Sequence, residues 1–592
     1  MRPDEAGDPV KTEDDPVKVK SFKDPIYGYV EIRDSFVKEI VNTPEFQRLR
    51  RIVQTSYGPL YPSATHNRFV HSLGVYYLGR LVTECIRTGN QIKDLGFGED
   101  EESYNRYLDV FEVACLLHDV GHAPFSHTGE GFYKTPDGKT ENLHIRIAEL
   151  LGDEEFKRFG VRKKTAAPHE LMSVIIGLKT FGSRLECLDT KDKREFFARA
   201  ITGYKYECDD DLQTNEDGVN LTFLDCLVSL LNSSIVDVDR LDYLIRDASC
   251  TGFESVLIDY RRLLGGVRIK KARNEGCFVA YSKQSVSVLE NVVFAHDAER
   301  KWIQKHPVIG YETQLIQDAI DDVTATHSKV FCEESLGADG VEVSQGFRVR
   351  YLCDDDVVFL MKNTDSNACR LFFDRGSRYH PLWKSDTEFY SLFRDWPPEL
   401  MDDFMTFYQL FGKCIQKSTS TPHRVNKDTL VCLTAEADEA QRKAAEIEDS
   451  ISRVRQTRQA ESKALYRDLA AVFKVFAEDV HLEFDFELIG NSSFSSNFGK
   501  EDLRNTKIDL PCEADTVELF RLTKLLAEDG TNASRFPKDT FYVFCRRDDD
   551  FDAKNARKLV MALQAFAESK KDGIKTLILA SKREKAKSEV QP

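Results

Sequence analysis

The most constraining stretch of this chain is Leu116-Leu117-His118-Asp119-Val120-Gly121-His122-Ala123-Pro124-Phe125-Ser126-His127, which sets three histidines and one carboxylate within ten residues. An apolar run at helical spacing (Val110, Phe111, Val113, Ala114, Cys115) leads into it. Gly121 and Pro124 then break the helical pattern and let the backbone turn close to whatever the imidazoles hold. Imidazole and carboxylate both take first-row divalent cations, so an adjacent His-Asp pair suits metal binding. Two ligands do not fill a coordination shell, and the rest of the chain must supply others.

With 592 residues the chain is long enough for several domains, and its 41% hydrophobic content supports large cores. Lys and Arg number 82 against 99 Asp and Glu, a formal net charge of -17, which argues against broad nonspecific binding to nucleic acid but leaves room for one phosphate pocket. The 14 cysteines are scattered without C-x-x-C pairs, the usage of a reducing, cytoplasmic protein. No apolar run approaches ~18 residues, and the acidic, polar start is unlike a signal peptide, so neither a membrane nor export is expected.

Residues 1–20 read as a loose charged tail, with order beginning at the turn-rich Phe22–Gly28. Helical spacing runs from Phe36 to Gln54, with Pro44 starting a second helix. The segment His66-Asn67-Arg68-Phe69-Val70-His71 opens a long helix to about Arg87, residues 96–106 read as an acidic loop, and 128–168 as a polar insertion. His169 and Glu170 open a further helix. From Phe223 to Asp247 the pattern reads as one long helix. On it Asp239, Tyr243 and Asp247 are spaced i, i+4, i+8 and share a face, a line that suits a metal ligand below a substrate-binding strip. Asp237 and Asp242 read as structural or supporting groups. A β-hairpin is expected over 267–288 with its turn at Asn274-Glu275-Gly276, followed by helices through about Val323.

From residue 331 the expectation is a helical extension to 430, with helices at Asp354–Lys362 and Met401–Cys414. A charged segment over 431–480 reads as a solvated or antiparallel coiled helix, and 481–592 as a small α+β module with strands at 481–490 and Thr540–Cys545. No internal repeat and no phosphate-binding P-loop are present. The fold class expected is mainly α: a helical core over 21–330 with a small β-hairpin, plus a C-terminal helical and α+β region.

His71, His118-Asp119 and Asp239 form an H…HD…D pattern that resembles the HD-domain metal-dependent phosphohydrolases. The words HNRFVHSLG, LLHDVGHAPFSH and DVDRLDYLIRD are similar to those of the deoxynucleoside triphosphate triphosphohydrolase branch, which includes the SAM- and HD-domain proteins; the resemblance covers about residues 22–330. It implies that His71, His118, Asp119 and Asp239 ligate a divalent cation (Fe, Mn, Zn or Mg). It also implies that His122 touches the α-phosphate and that His127 is a general acid steadied by Glu130 and His169. Gln54, Arg68, Arg240, Tyr243 and Asp247 would contact the nucleotide, with Tyr243 pressed on the deoxyribose. A homo-oligomer is expected. An isolated histidine is more often a core or capping residue, but the coincidence of all four ligand positions argues against that here.

The chain departs from this branch in two places. Where the family grips the triphosphate with an arginine and a tyrosine, this chain has His296 and Gln304. At the family's regulatory guanine-nucleotide site Gln47 and Arg50 match, but Asn42 stands at the acidic base-reading position. The expected activity is hydrolysis of a dNTP to deoxynucleoside and triphosphate. The alternatives are an HD-type phosphodiesterase or nuclease acting on oligonucleotides or another phosphorylated small molecule, and a non-catalytic scaffold.

Overall fold

The structure is a computed structural model that describes residues 18–55, 58, 60–89, 91–96, 101–133, 142–160, 166–206, 213–232, 236–253, 257–271, 276–418, 424–447, 450–492, 505–509, 516–519, 539–546 and 554–588. It is mainly helical, with small sheets, as the sequence pattern implies. Two compact units are present. The first comprises Met1–Glu299, Val323–Leu360 and Phe498–Leu526, and the second Arg300–Asp322, Met361–Asn497 and Ala527–Pro592. Among the described residues no helix is long and apolar enough to cross a membrane.

The first unit opens with an antiparallel hairpin, Val19–Asp24 and Gly28–Arg33. Asp24 closes its turn by accepting from the amides of Ile26 (2.8 Å) and Tyr27 (3.0 Å). Helix Arg68–Thr88 follows, capped by Asn67, whose Oδ1 accepts from the Val70 amide. Helix Glu101–Leu117 runs into the His-Asp stretch and buries every residue from Val110 to Leu117. Its start at Glu101 corrects the expected acidic loop over 96–106: Tyr104, Tyr107 and Leu108 bury one face, and that burial outweighs the polarity of the first turn. The polar insertion over 128–168 likewise contains two helices, Leu143–Leu151 and Glu155–Phe159, packed through Ile147, Phe156 and Phe159.

The long helix expected over Phe223–Asp247 is two helices, Leu221–Leu231 and Val238–Thr251. Asn232 leaves the first in an extended conformation. Asp237 starts the second, accepting from the Arg240 amide at 2.7 Å. Two local caps therefore override a continuous apolar periodicity. The consequence is functional: Asp239 sits in the first turn of its helix, while Tyr243 and Asp247 still follow it one and two turns on.

The expected hairpin is Val267–Lys271 paired with Cys277–Ser282; Asn274 and Glu275 of its anticipated turn lie outside the described residues. It is part of a larger sheet, because Lys507–Asp509 pairs parallel with Cys277–Ser282 and antiparallel with Val517–Glu518. Nothing local marks a three-residue strand recruited from so far along the chain.

In the second unit, Asp485–Ser492 is the centre of an antiparallel ladder with Asp539–Cys545 and with Arg424–Asn426, and Asp539–Cys545 also pairs with His380–Pro381. Trp383 is fully buried against Phe389, Phe393 and Phe541, and its indole donates to the Phe541 carbonyl at 2.8 Å. Helices Lys427–Glu446 and Ser450–Asp479 form an antiparallel pair. Leu433, Ala437, Ala440 and Ala444 make the buried seam, and Glu436 pairs with Lys463 at 3.2 Å.

Candidate metal centre

Four side chains converge where helix Arg68–Thr88, the end of helix Glu101–Leu117 and the first turn of helix Val238–Thr251 meet. His71 Nε2 lies 3.0 Å from Asp239 Oδ1, 3.3 Å from His118 Nε2 and 3.6 Å from Asp119 Oδ2. His118 Nε2 is 3.4 Å from Asp119 Oδ1 and 3.6 Å from Asp239 Oδ1. Ligand bonds of about 2.0–2.2 Å put neighbouring ligands of one ion roughly 3 to 3.5 Å apart, so His71, His118 and Asp239 are spaced for a single cation, with Asp119 beside the two imidazoles. His71, His118 and Asp119 are buried and Asp239 is half-buried, which leaves one open side.

The tautomers fit as well. His71 Nδ1 contacts Asp242 Oδ2 at 2.7 Å and His118 Nδ1 contacts the Cys115 carbonyl at 2.9 Å. Each contact needs the proton on Nδ1 and frees Nε2 as a lone pair. The two Nε2 atoms then oppose each other across 3.3 Å, an arrangement that only a shared proton or a cation relieves. Burial disfavours a charged His71, but hydrogen bonds to Asp239 at Nε2 and to Asp242 at Nδ1 outweigh it and push the ring up to about 10, so a second proton on Nε2 stands where a cation would otherwise bind. Burial also works against an ionised Asp119, yet Arg68 and the two imidazoles hold it well below the usual carboxylate range. Two imidazoles and two anionic carboxylates are a donor set for a divalent cation.

Asp242 does more than touch His71. Its carboxylate also accepts from Tyr27 Oη (2.7 Å) and from Arg246 Nε and Nη2 (both 2.9 Å), and Arg246 reaches Asp24 at 3.0 Å. Gly74 makes room for this network: a Cβ there would lie 1.9 Å from Asp242 Oδ1.

After Asp119 the chain turns tightly. A Cβ on Gly121 would lie 2.2 Å from the Ser173 nitrogen, and the Gly121 amide donates to Ser173 Oγ at 2.8 Å, so the loop lies flat on helix Pro168–Ile176. Phe125 (φ 58°) and Ser126 (φ 54°) are both left-handed, at a cost of about 1–3 kcal/mol each for non-glycine residues. His127 follows on a single 3-10 turn.

This loop gathers a second group beside the first. The rings of His122 and His169 stack at 4.1 Å and 10°, and His127 sits edge-on to both. Glu130 accepts from His169 Nδ1 at 2.6 Å and lies 3.4 Å from His127 Nδ1. His122 Nε2 is 3.3 Å from Asp119 Oδ1, which joins the two groups. His122 is fully buried and makes no hydrogen bond to the described residues through either ring nitrogen. Burial and the positive charge of Arg68, with smaller contributions from the His169 and His127 rings, hold it well below its ordinary value and keep it neutral. Burial lowers His169 too, but Glu130 more than compensates and raises it. His127 stands at the rim with 63% of its side chain exposed.

The remaining sequence candidates fall into different settings. Arg68 is buried and donates to Asp119 (2.8 Å), Ser126 Oγ (2.9 Å) and the Gln54 carbonyl (3.1 Å). Gln54 is buried with its side-chain oxygen unpartnered among the described residues. Arg240 is partly exposed and 3.7 Å from Asp237. Tyr243 follows Asp239 by one turn. Asp247 is buried and bonded to His66 Nε2 at 2.7 Å, a pairing that raises His66 to about 9 against the opposing effect of burial. Gln47 and Arg50 bond each other at 2.8 Å, and Arg50 stacks on Phe69. His296 is buried beside Asp297.

Sequence reasoning missed His66, Arg48 and Asp354. His66 lies inside the HNRFVH word, so its proximity to Arg68 was a usable signal. Arg48 and Asp354 carried none: one is an arginine in a basic turn, the other the first of three aspartates opening a helix.

Comparison with known proteins agrees with this geometry. Residues 68–204 match the HD domain. The chain is 30% identical over 292 residues to the uncharacterized protein YwfO of Bacillus subtilis, covering 49% of this chain and 52% of that one. It is 28% identical over 305 residues to the deoxynucleoside triphosphate triphosphohydrolase SAMHD1 of Homo sapiens (51% and 44% covered), and 43% identical over 306 residues to that of Bos taurus (51% and 47% covered). The chain thus spans about half the length of the curated relatives it matches. Residues 68–204 thus carry an HD domain, and the histidine–carboxylate cluster built on it suits a divalent cation.

Proposed function

We propose that the protein is a metal-dependent phosphohydrolase that cleaves dNTPs to deoxynucleoside and triphosphate. The observation that carries the reading is the junction at Asp119, where a four-residue cation cluster meets a buried neutral imidazole and a rim histidine on a glutamate. The relatives named as deoxynucleoside triphosphate triphosphohydrolases support the substrate class.

His71, His118, Asp119 and Asp239 would hold the cation. When bound it supplies charge to neutralise a phosphate oxygen and lowers the pKa of water. The protein's own groups do the rest. His122, neutral and without a hydrogen bond among the described residues, offers one N–H to a phosphate oxygen. His127, exposed at the rim and oriented by Glu130, gives its proton to the departing 5′-oxygen. His169, its pKa raised by the same glutamate, fixes that glutamate in place. Arg68 backs Asp119 and adds positive charge beneath the phosphate. Gln54 presents its unpartnered oxygen to the sugar, and Asp247 with His66 closes the end of the Asp239 helix.

Tyr243, one turn after Asp239, would lie against C2′ of a sugar whose α-phosphate sits at the cluster. A 2′-hydroxyl buried there without a partner costs ~1–3 kcal/mol, roughly 5- to 150-fold in rate. The test is to incubate the metal-loaded protein with each dNTP and each rNTP and separate the products. Triphosphate with deoxynucleoside, faster than from the matching rNTP, is the expected result, and Tyr243→Ala should narrow the gap. Monophosphate products, or equal rates on both sugars, would sink this reading in favour of another phosphoester.

A further inference from the structure

The loop from Val120 to His127 is gripped from outside the HD motif by two buried side chains. Asp354, in the first turn of helix Asp354–Lys362, accepts from the Phe125 amide at 2.7 Å and from the Val53 amide at 2.9 Å. Arg48 donates to the carbonyls of Val120 (2.7 Å) and His122 (2.8 Å), and to that of Leu352 (2.9 Å). Asp354 is 8% exposed and Arg48 5%. The short segment Leu352–Asp354 therefore touches one end of the loop directly and the other through Arg48.

The bonded positions are informative. Phe125 is the first of the two left-handed residues, and Val53 adjoins Gln54. Asp354 thus pins the sharpest bend of the loop, two residues before His127, to the segment that presents Gln54. Ser126 completes the same contact, its hydroxyl meeting both the Val53 carbonyl and Arg68. The Asp354 carboxyl, which burial pushes up to about 7 against the opposing pull of the two amides, offers one acceptor oxygen to each of two amides that point at it from different segments. An unfavourable backbone conformation persists only where its surroundings over-determine it, and here they are Asp354, Arg48 and Ser126.

We infer that Asp354 is a positioning residue for the proposed hydrolysis, a two-amide tether that sets His127 over the cation cluster and Gln54 beside it, with Arg48 holding the other end of the loop. This rests on the reading proposed above. Asp354 touches neither a cation ligand nor His127, so it acts through the Phe125–Ser126 bend.

The test compares wild type with Asp354→Asn, Asp354→Ala and the control Asp355→Asn, whose carboxylate is exposed and paired with Arg51 at 2.7 Å. Metal content, amide hydrogen exchange by mass spectrometry, and kcat and KM are measured on the full chain. Asparagine keeps one acceptor oxygen, so the order of effects should be wild type, then Asn, then Ala. Exchange in peptides covering 120–128 and 50–55 should accelerate by about tenfold or more in the Ala variant. Its kcat should fall about 10- to 100-fold, as expected for a small misplacement of a reacting group, with KM within about threefold and metal retained. Asp355→Asn should match wild type. Unchanged exchange in folded Asn and Ala variants would overturn the tether. Faster exchange with unchanged kcat would reduce Asp354 to a structural residue. If Ala does not fold, Asn against wild type still decides. Wild-type protein that hydrolyses no nucleotide would defeat the functional reading alone, because the exchange arm reports on the tether without turnover.

Discussion

Asp242→Asn should weaken metal binding without removing a metal ligand. Asp242 accepts from His71 Nδ1 at 2.7 Å, which fixes the ring with Nε2 toward the cluster, and its negative charge makes that nitrogen a better donor. Asparagine is isosteric, so the backbone has no reason to move. Its neutral carbonyl still accepts from one N–H, but its NH2 must face Arg246 or Tyr27, both of which donate to the present carboxylate at 2.7–2.9 Å. Loss of such a carboxylate behind a ligating histidine typically costs 10- to 100-fold in metal affinity, about 1.4–2.7 kcal/mol. Competition between the protein and a calibrated chelator for Mn2+ or Zn2+ measures this, with His71→Ala as the reference for loss of a ligand. An affinity within twofold of wild type, with His71→Ala strongly impaired, would refute the argument that Asp242 tunes His71. Stability gives a second readout: Arg246 keeps only Asp24 as a full counter-charge, and weakening a buried pair on one side should lower the denaturation midpoint.

Three more outcomes are expected. His127→Ala should keep its metal by elemental analysis and lose roughly 10²- to 10⁴-fold in turnover, since the leaving oxygen would depart unprotonated; wild-type turnover would make His127 structural. Gly121→Ala should lower the melting temperature, because its Cβ would meet the Ser173 backbone at 2.2 Å, an overpacking that costs about 1–3 kcal/mol or more, and metal occupancy should fall with it. Glu487 is fully buried on strand Asp485–Ser492, and burial, partly offset by Arg424, pushes its carboxyl up to about 8. A carboxyl raised in the folded state contributes stability below its unfolded pKa of about 4.3 and loses it as pH rises toward 8. Glu487→Gln should therefore match wild type near pH 5 and exceed it near pH 8 by on the order of 2–4 kcal/mol in urea denaturation; parallel pH profiles would contradict this.

The cluster was legible in the sequence to the extent that its logic is local. His118 and Asp119 are adjacent, the apolar run before them has helical spacing, and Asp239, Tyr243 and Asp247 share a face whatever the exact helix limits. For that reason the split of the expected 223–247 helix left this line intact. Adjacency also carried His122, His127 and Glu130, because a short loop cannot take them far from His118 and Asp119. The caps at Asn232 and Asp237 escaped the sequence reading, because an apolar pattern running through them concealed the break.

Other features depended on which surfaces met. Asp239 and Asp242 lie three residues apart on one helix, and both reach His71, one at each ring nitrogen; periodicity alone did not say that His71 would lie between them. His66 and Asp247 are 181 residues apart, Phe125 and Asp354 are 229 apart, and Arg48 and Leu352 are 304 apart. The strand Lys507–Asp509 joins a hairpin more than two hundred residues earlier in the chain. A side chain's periodicity and capping preference are properties of its near neighbours, and the sequence states them. Whether a buried carboxylate pairs with an imidazole, two amides or an arginine depends on packing between distant segments, which only the tertiary structure decides.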